Sequence, residues 1–316
     1  MAIHRFTSLL LVFLLQFGIS VLAQEANVLI AEGDSLLEVN SGNKAMEKFN
    51  AALDLGATAD AYAARARGWF YLGKYDQFMA DERKALSMDS LHVKANYQRA
   101  LYAARTEDHF NTVLFSTHVV DVATDAELRK RALVLRGEAE AGLSMTDKAI
   151  ADLNEGLKGN NENFPAMKTL ARLYDKIGDP AASLSVLEKL CELQPDDIGN
   201  WTNRGFELSR LERYEEATQV LDHALTIDKD EPVVLSNMAY AQLMLGRDKE
   251  AFTNVNRSLR SDATNPYALR TRALLYLRKG DRDKACNDLT LSKAMGGAPE
   301  VDGLVKQHCS GMPKKR

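Results

Sequence analysis

The chain has 316 residues, of which 46% are hydrophobic and 27% are charged, and it contains only 7 prolines. This is the composition of an ordinary soluble protein that can form long helices. The formal net charge of −4 excludes a strong general attraction to nucleic acid or to anionic membranes.

The first apolar segment has the pattern of a secretory signal peptide. Arg5 supplies the positive charge, residues 9–22 form the apolar stretch, and Val21, Leu22 and Ala23 form a cleavage site that ends in a small residue. The apolar stretch is short for a membrane-spanning helix. We therefore expect residues 1–23 to be removed and the protein to be exported, to the periplasm or the medium. An uncleaved anchor is the alternative.

One pattern recurs four times between residues 164 and 293. A turn residue and two small residues, seven before it and five after it, return together at one constant spacing without insertion. The turn residues are Gly178, Glu212, Gly246 and Gly280, and the small residues are Ala171, Gly205, Ala239 and Ala273, then Ser183, Ala217, Ala251 and Ala285. A fixed period of about 34 residues predicts a solenoid of stacked helix pairs.

The pattern resembles the tetratricopeptide repeat (TPR), of the kind found in exported bacterial proteins. The resemblance implies an all-α fold, a right-handed α-solenoid of about eight helix-turn-helix repeats with a C-terminal capping helix. Weaker copies extend the array over residues 24–293. The predicted repeats lie near residues 26–59, 60–92, 93–125, 130–163, 164–197, 198–231, 232–265 and 266–295.

The C-terminal segment follows the last repeat. Residues 296–309 carry apolar residues at helical spacing and predict a helix that caps the array, and residues 310–316 predict a basic disordered tail. Export permits a disulfide between Cys286 and Cys309, and two free buried thiols are the alternative. Cys191 lies on an apolar helix face and predicts a small buried residue.

Arginine precedes the small residue of the first helix in five repeats. In three of them an aspartate follows at one fixed spacing, on the second helix, whereas Leu170 is matched there by the apolar Val186. We expect these Arg–Asp pairs to be structural ion pairs between the two helices of a repeat. The pairs are Arg65 with Asp81, Arg136 with Asp152, and Arg272 with Asp288.

The sequence contains none of the motifs that indicate catalysis. The six histidines are scattered, and neither a nucleophile motif nor a phosphate-binding glycine loop is present. We therefore predict no catalytic residue, no metal site, no cofactor and no enzyme activity. A thiol-redox function of Cys286 and Cys309 is the alternative.

The resemblance to TPR proteins also implies a concave wall made of first-helix side chains. On this chain that wall is rich in arginine and aromatic residues, which are frequent interface anchors. It comprises Arg67, Tyr71, Tyr97, Arg105, Lys168, Arg172, Phe206, Arg210, Tyr240, Arg270 and Arg278.

We expect a protein or peptide partner, an extended or acidic segment held in this groove, and a scaffold function without nucleic acid or an integral membrane segment. The alternatives are a solvated inner face without a ligand, and a structural subunit of an envelope or secretion assembly.

Overall fold

The computed structural model describes residues 21–159 and 162–310. The described residues are almost entirely helical, and they fall into two compact units, Met1–Asn161 and Glu162–Arg316. The sequence predicted one array through both units, and that continuity remains a prediction. Most of the predicted signal peptide, residues 1–20, and the tail after residue 310 lie outside the described residues.

The first unit consists of antiparallel helix pairs. Helix α1 is described over residues 21–38, so it runs across the predicted cleavage site after Ala23. The following helices are α2 (Gly42–Leu55), α3 (Ala59–Tyr71), α4 (Tyr75–Met88), α5 (Val93–Arg105), α6 (His109–Val122), α7 (Ala126–Gly142) and α8 (Thr146–Gly156).

The second unit continues the same alternation of helices. Its helices are α9 (Phe164–Lys176), α10 (Pro180–Leu193), α11 (Ile198–Arg210), α12 (Tyr214–Ile227), α13 (Pro232–Met244), α14 (Asp248–Ser261), α15 (Pro266–Arg278), α16 (Arg282–Ala294) and α17 (Val301–His308). Proline stands in the first turn of α9, α10, α13 and α15, where its missing N–H leaves no hydrogen bond unmade.

Small residues allow the two helices of each pair to pack closely. Gly205 on α11 faces Leu221 on α12, and a Cβ at Gly205 would lie only 2.5 Å from that leucine side chain. The equivalent Ala239 and Ala273 are fully buried. The constant interval between the small residues therefore follows from the contact that closes each pair.

The turn between the paired helices requires a left-handed residue. Gly178 has φ of +78° and Gly246 has φ of +74°, a region that glycine adopts without steric cost. Glu212, which replaces glycine in the sixth repeat, adopts φ of +60°. The structure thus uses the same turn geometry where the sequence departs from glycine.

Each unit contains its own hydrophobic core between successive pairs. In the first unit Phe49 and Ala45 are fully buried against Ala61 of the next pair. In the second unit Leu221 and Ala224 pack against Val234 and Met238. Both units are therefore α-solenoids of TPR-like helix pairs, and the repeat boundaries remain a prediction.

Helix α17 covers the last pair. Val301 and Ala298 are buried against Ala285 and Leu289, and Leu304 packs beside them. The helix begins at Val301, and Gly296 and Gly297, which both have positive φ, separate it from α16.

No helix among residues 21–159 and 162–310 has the length and apolarity needed to cross a membrane.

Candidate protein-binding groove

The first helices of the pairs in the second unit line an open groove of about 690 Å³. The groove crosses α9, α11, α13 and the start of α15, so each pair contributes side chains from equivalent positions. The lining includes Lys168, Thr169, Arg172, Asp175, Asp197, Asn203, Phe206, Glu207, Val233, Ser236, Asn237, Asp262 and Tyr267. A groove of this volume is within the range of protein ligand sites.

Two asparagines occupy the same position on neighbouring helices in this groove. Asn203 lies on α11 and Asn237 on α13, one repeat apart. Neither carboxamide forms a hydrogen bond with another described residue. A carboxamide has two N–H donors and one acceptor oxygen, so both residues are free to bond an incoming polar group.

Two of the basic side chains that the sequence predicted for the concave wall are neutralised by neighbouring carboxylates. Lys168 lines the groove and lies 2.5 Å from Asp197. Arg210 lines a second pocket beside the groove and contacts Asp175 at 2.5 Å and Glu207 at 3.0 Å. Burial raises the pKa of Glu207, and the Arg210 guanidinium opposes that shift. The part of the arginine-rich wall that lies in the second unit is therefore of mixed charge.

Arg172 is the exception among these basic residues. It is exposed, lines the groove, and forms no ion pair with any described residue. Arg278 lies outside the groove lining and donates to Asp248 at 2.7 Å and to the Leu243 carbonyl at 2.8 Å.

A second pocket of about 320 Å³ adjoins the groove and shares four lining residues with it, which are Phe206, Ser236, Asn237 and Tyr267. Its other walls include Tyr214, Tyr240, Arg270, Pro299 and Glu300. The Arg270 guanidinium lies 4.5 Å from the Tyr240 ring centroid and donates from Nη1 to the Pro299 carbonyl at 3.3 Å.

The four predicted groove residues of the first unit have local partners. Arg67 donates to Asp34, and burial lowers its pKa to about 10. Tyr71 donates to Asn40 at 2.8 Å, Tyr97 packs against the Val119 cluster, and Arg105 lies 5.6 Å from the Tyr75 ring centroid. The structure places these four residues in the other unit, outside both pockets of the second unit.

Three Arg–Asp contacts cross the helix pairs at the predicted positions. Each arginine donates from Nε and Nη2 to both carboxylate oxygens, at 2.8 and 2.9 Å for Arg65 with Asp81, and at 2.7 and 2.8 Å for Arg272 with Asp288. Arg136 and Asp152 have the same geometry. These fork-shaped contacts join helices rather than line a cavity, which assigns them to the architecture.

The two other arginines of that series have different partners. Arg99 lies 4.8 Å from the ring centroid of Phe115, which stands where the aspartate is found in the paired repeats. Arg204 lies 5.6 Å from the Trp201 centroid and 3.5 Å from Glu188. An aromatic ring can thus replace the carboxylate as the partner of the guanidinium.

Cys286 and Cys309 are joined by a disulfide that attaches the end of α17 to α16. Arg282 adds hydrogen bonds from α16 to the carbonyls of His308 and Ser310.

Cys191 is a free buried thiol, and burial raises its pKa to about 11. Within the described residues no group of three or more His, Cys, Asp and Glu side chains could hold a metal ion.

Sequence reasoning did not select several residues that line the two pockets. Tyr267 stands one repeat after Val233 at the equivalent helix position. Comparing all equivalent first-helix positions between repeats could therefore have identified it. Pro299 and Glu300 precede α17 and belong to no repeat. No periodic signal could have placed those two residues beside the groove.

The family model for the tetratricopeptide repeat matches residues 168–197 and 198–231. Among curated proteins, the chain is 27% identical over 215 residues to DnaJ homolog subfamily C member 3 of Gallus gallus, covering 63% of this chain and 42% of the relative. It is 25% identical over 254 residues to sperm-associated antigen 1 of Rattus norvegicus, covering 79% of this chain and 27% of that relative. The chain thus spans less than half the length of these two relatives.

Two solved structures share the fold at low sequence identity. YrrB, described as a TPR protein with an unusual peptide-binding site, superposes with a TM-score of 0.54 at 15% identity and covers 60% of this chain and 97% of its own. MamA AMB-1 superposes with a TM-score of 0.50 at 19% identity, and the match covers 55% of this chain and 94% of the MamA chain.

The helix pairs and the open groove define a helical-repeat scaffold for protein interactions. The chain contains tetratricopeptide repeats at residues 168–197 and 198–231, and it shares its fold with solved tetratricopeptide repeat proteins.

Proposed function

We propose that this protein is a non-catalytic scaffold that binds an extended polypeptide segment in the groove of its second unit. The observation that carries the proposal is the pair of unpaired carboxamides, Asn203 and Asn237, one repeat apart in a groove of about 690 Å³. A carboxamide can donate to a peptide carbonyl and accept from a peptide N–H at the same time. Two of them on successive helices can hold successive parts of a backbone.

Apart from Arg172 and Arg270, the basic side chains in and beside the groove are already paired, which argues against selection of the segment by its net charge. Lys168 and Arg210 already contact Asp197, Asp175 and Glu207, so an acidic ligand would have to compete with these contacts. Binding through backbone amides is sequence-tolerant and depends weakly on ionic strength. We therefore expect affinity for the segment to change little between low and physiological salt.

The proposal is tested by affinity selection from a library of dodecapeptides with acetylated and amidated ends. The full chain is compared with the double variant Asn203→Ala, Asn237→Ala. Loss of about two net hydrogen bonds predicts roughly 30-fold weaker binding of the selected peptides.

Asn287→Ala is the matched control, because Asn287 is exposed on α16, lines neither pocket and forms no hydrogen bond with a described residue. The control is expected to bind like the unmodified chain. Undiminished binding by the double variant would refute recognition through these amides.

We further infer that the protein acts outside the cytoplasm. The signal-peptide pattern of residues 1–23 and the Cys286–Cys309 disulfide support this inference, since structural disulfides persist in oxidising compartments. N-terminal sequencing of the protein recovered from its own cells is expected to begin at Gln24 or Glu25. A cytoplasmic protein that begins at Met1 would contradict export.

A further inference from the structure

We propose that the pocket beside the groove is a subsite for one acidic side chain of the bound segment, and that Arg270 holds its carboxylate. The inference rests on the proposed function, because the pocket opens from the same groove. Asn237 and Tyr267 line both cavities. A segment whose backbone is held at Asn237 can therefore place a neighbouring side chain in the pocket.

Arg270 is buried without a carboxylate partner. Its side chain belongs to α15, the residue is only 7% exposed, and it forms no ion pair with a described residue. Of its five N–H donors one bonds the Pro299 carbonyl at 3.3 Å, while the buried Nε has no hydrogen-bond partner. The other arginines of this unit that lie on first helices and form ion pairs are more exposed.

An unpaired buried charge is unfavourable, and a guanidinium does not relieve this cost by losing its proton. The rings of Tyr240 and Tyr267, with centroids 4.5 and 5.9 Å away, compensate only part of it. A carboxylate that reaches the open edge of the guanidinium would supply two parallel hydrogen bonds and the missing negative charge. The free donors and the low exposure therefore favour an anionic group as occupant.

The remaining walls restrict which anionic group fits. The volume of about 320 Å³ suits one side chain rather than a length of backbone. Arg210 also lines the pocket, but it is already paired with Asp175 and Glu207. Two exposed carboxylates, Glu212 and Glu300, line the same pocket and would repel a second acidic residue beside the first. The subsite thus selects a single aspartate or glutamate flanked by neutral residues, and an acidic run is disfavoured.

The experiment uses the same blocked dodecapeptide library, in which only side chains can supply a carboxylate. The full chain is expected to enrich peptides with Asp or Glu at one position and neutral residues on both sides. For the best peptide, replacing that residue by its amide is expected to weaken binding about 10-fold or more, as for a lost hydrogen bond to a charged group.

The variant Arg270→Met removes the charge and keeps an apolar stem among the aromatic rings. In this variant the acidic peptide and its amide counterpart are expected to bind equally. Arg260→Met is the matched control, since Arg260 is exposed on α14 and lines neither pocket. This control variant is expected to keep the full preference for the acidic peptide. A preference that survives in Arg270→Met overturns the subsite.

Two further readouts do not depend on whether the Arg270→Met variant folds. Glu300→Gln is expected to improve binding of a peptide with two adjacent acidic residues, and no improvement contradicts the proposed repulsion. Selected peptides without any acidic position overturn the subsite while the groove proposal stands. Selection of no peptide overturns the proposed function and the subsite together.

Discussion

The guanidinium of Arg136 on α7 donates two hydrogen bonds to the carboxylate of Asp152 on α8, from Nε at 2.5 Å and from Nη2 at 2.9 Å. Both side chains are mostly buried, with 18% and 12% exposed. The equivalent place in the fifth repeat is occupied by Leu170 and Val186. The helix pair can therefore be closed by a polar contact or by an apolar one.

This ion pair predicts that mutations of its two residues have strongly non-additive effects on the free energy of unfolding. Asp152→Val alone leaves a largely buried guanidinium without its partner and should cost about 3 kcal/mol of unfolding free energy. The double variant Arg136→Leu, Asp152→Val should lie within about 1 kcal/mol of the unmodified protein, because neither charge remains. Urea unfolding followed by Trp69 fluorescence in a Trp201→Phe background reports on the first unit alone. Additive effects of the two single changes would contradict the ion pair.

Glu82 predicts a pH-dependent stability in the first unit. The residue is fully buried on α4, and neither carboxylate oxygen has a hydrogen-bond partner. Burial raises the pKa of Glu82 to about 8, although Arg99 and Arg67 lower it, and the nearby Asp81 raises it further. In the folded chain this carboxyl group therefore keeps its proton at neutral pH.

The sign of the effect follows from proton binding. Above pH 4.5, the ordinary pKa of a glutamate, the unfolded chain loses this proton while the folded chain keeps it, so stability should fall as pH rises toward about 8 and then level off. Glu82→Gln should remove this contribution and stabilise the first unit by about 3 kcal/mol at pH 7, with little effect at pH 4. Unfolding at both pH values, read by Trp69, measures it. Equal gains at pH 4 and pH 7 would rule out the protonation explanation.

A residue larger than glycine at position 205 should destabilise the second unit. An alanine Cβ would lie 2.5 Å from the buried Leu221 side chain, so Gly205→Ala should lose about 1–2 kcal/mol despite the better helix propensity of alanine. Gly303→Ala in α17 is the control, because a Cβ there would meet no atom within 4 Å. It should leave stability unchanged or raise it by up to about 1 kcal/mol. Trp201 fluorescence in a Trp69→Phe background measures both. A stabilising Gly205→Ala would show that the packing is looser than described.

The disulfide between Cys286 and Cys309 should stabilise the second unit through α17. It closes a loop with a sequence separation of 23 residues, for which chain entropy predicts about 3 kcal/mol. The double variant Cys286→Ser, Cys309→Ser should unfold at lower urea and should be insensitive to reductant. Loss of stability on reduction in that variant would assign the effect to another group.

Cys191 should resist modification while the protein is folded. Burial raises the pKa of this thiol to about 11, although Arg204 lowers it, so little thiolate exists at pH 8. Intact mass after iodoacetamide treatment at pH 8 should show no adduct on the folded oxidised chain and one on the unfolded oxidised chain. After unfolding and reduction, all 3 cysteines should react. An adduct on the folded protein would mean that this helix opens readily.

The periodic part of the fold was predictable because a repeated contact leaves a repeated residue. Gly205 and Ala239 occupy equivalent positions in successive repeats since each closes a helix pair, and the fixed spacing between Arg272 and Asp288 follows from one turn and the two helices that it joins. The charge of the groove was not predictable in this way. Arg210 meets Asp175 from the preceding repeat, and such a contact depends on side-chain rotamers rather than on register.

The sequence by itself determined the helix pairs, their small crossing residues and the left-handed turn at Gly178, because these are local consequences of backbone geometry and period. Only the tertiary structure decided which charges are compensated. It brings Asp197 to Lys168 and carboxylates to Arg210. Among the described residues, Arg270 instead contacts tyrosine rings and the Pro299 carbonyl and forms no ion pair. The physical reason is that burial and pairing depend on neighbours from other repeats and from the non-repetitive segment before α17.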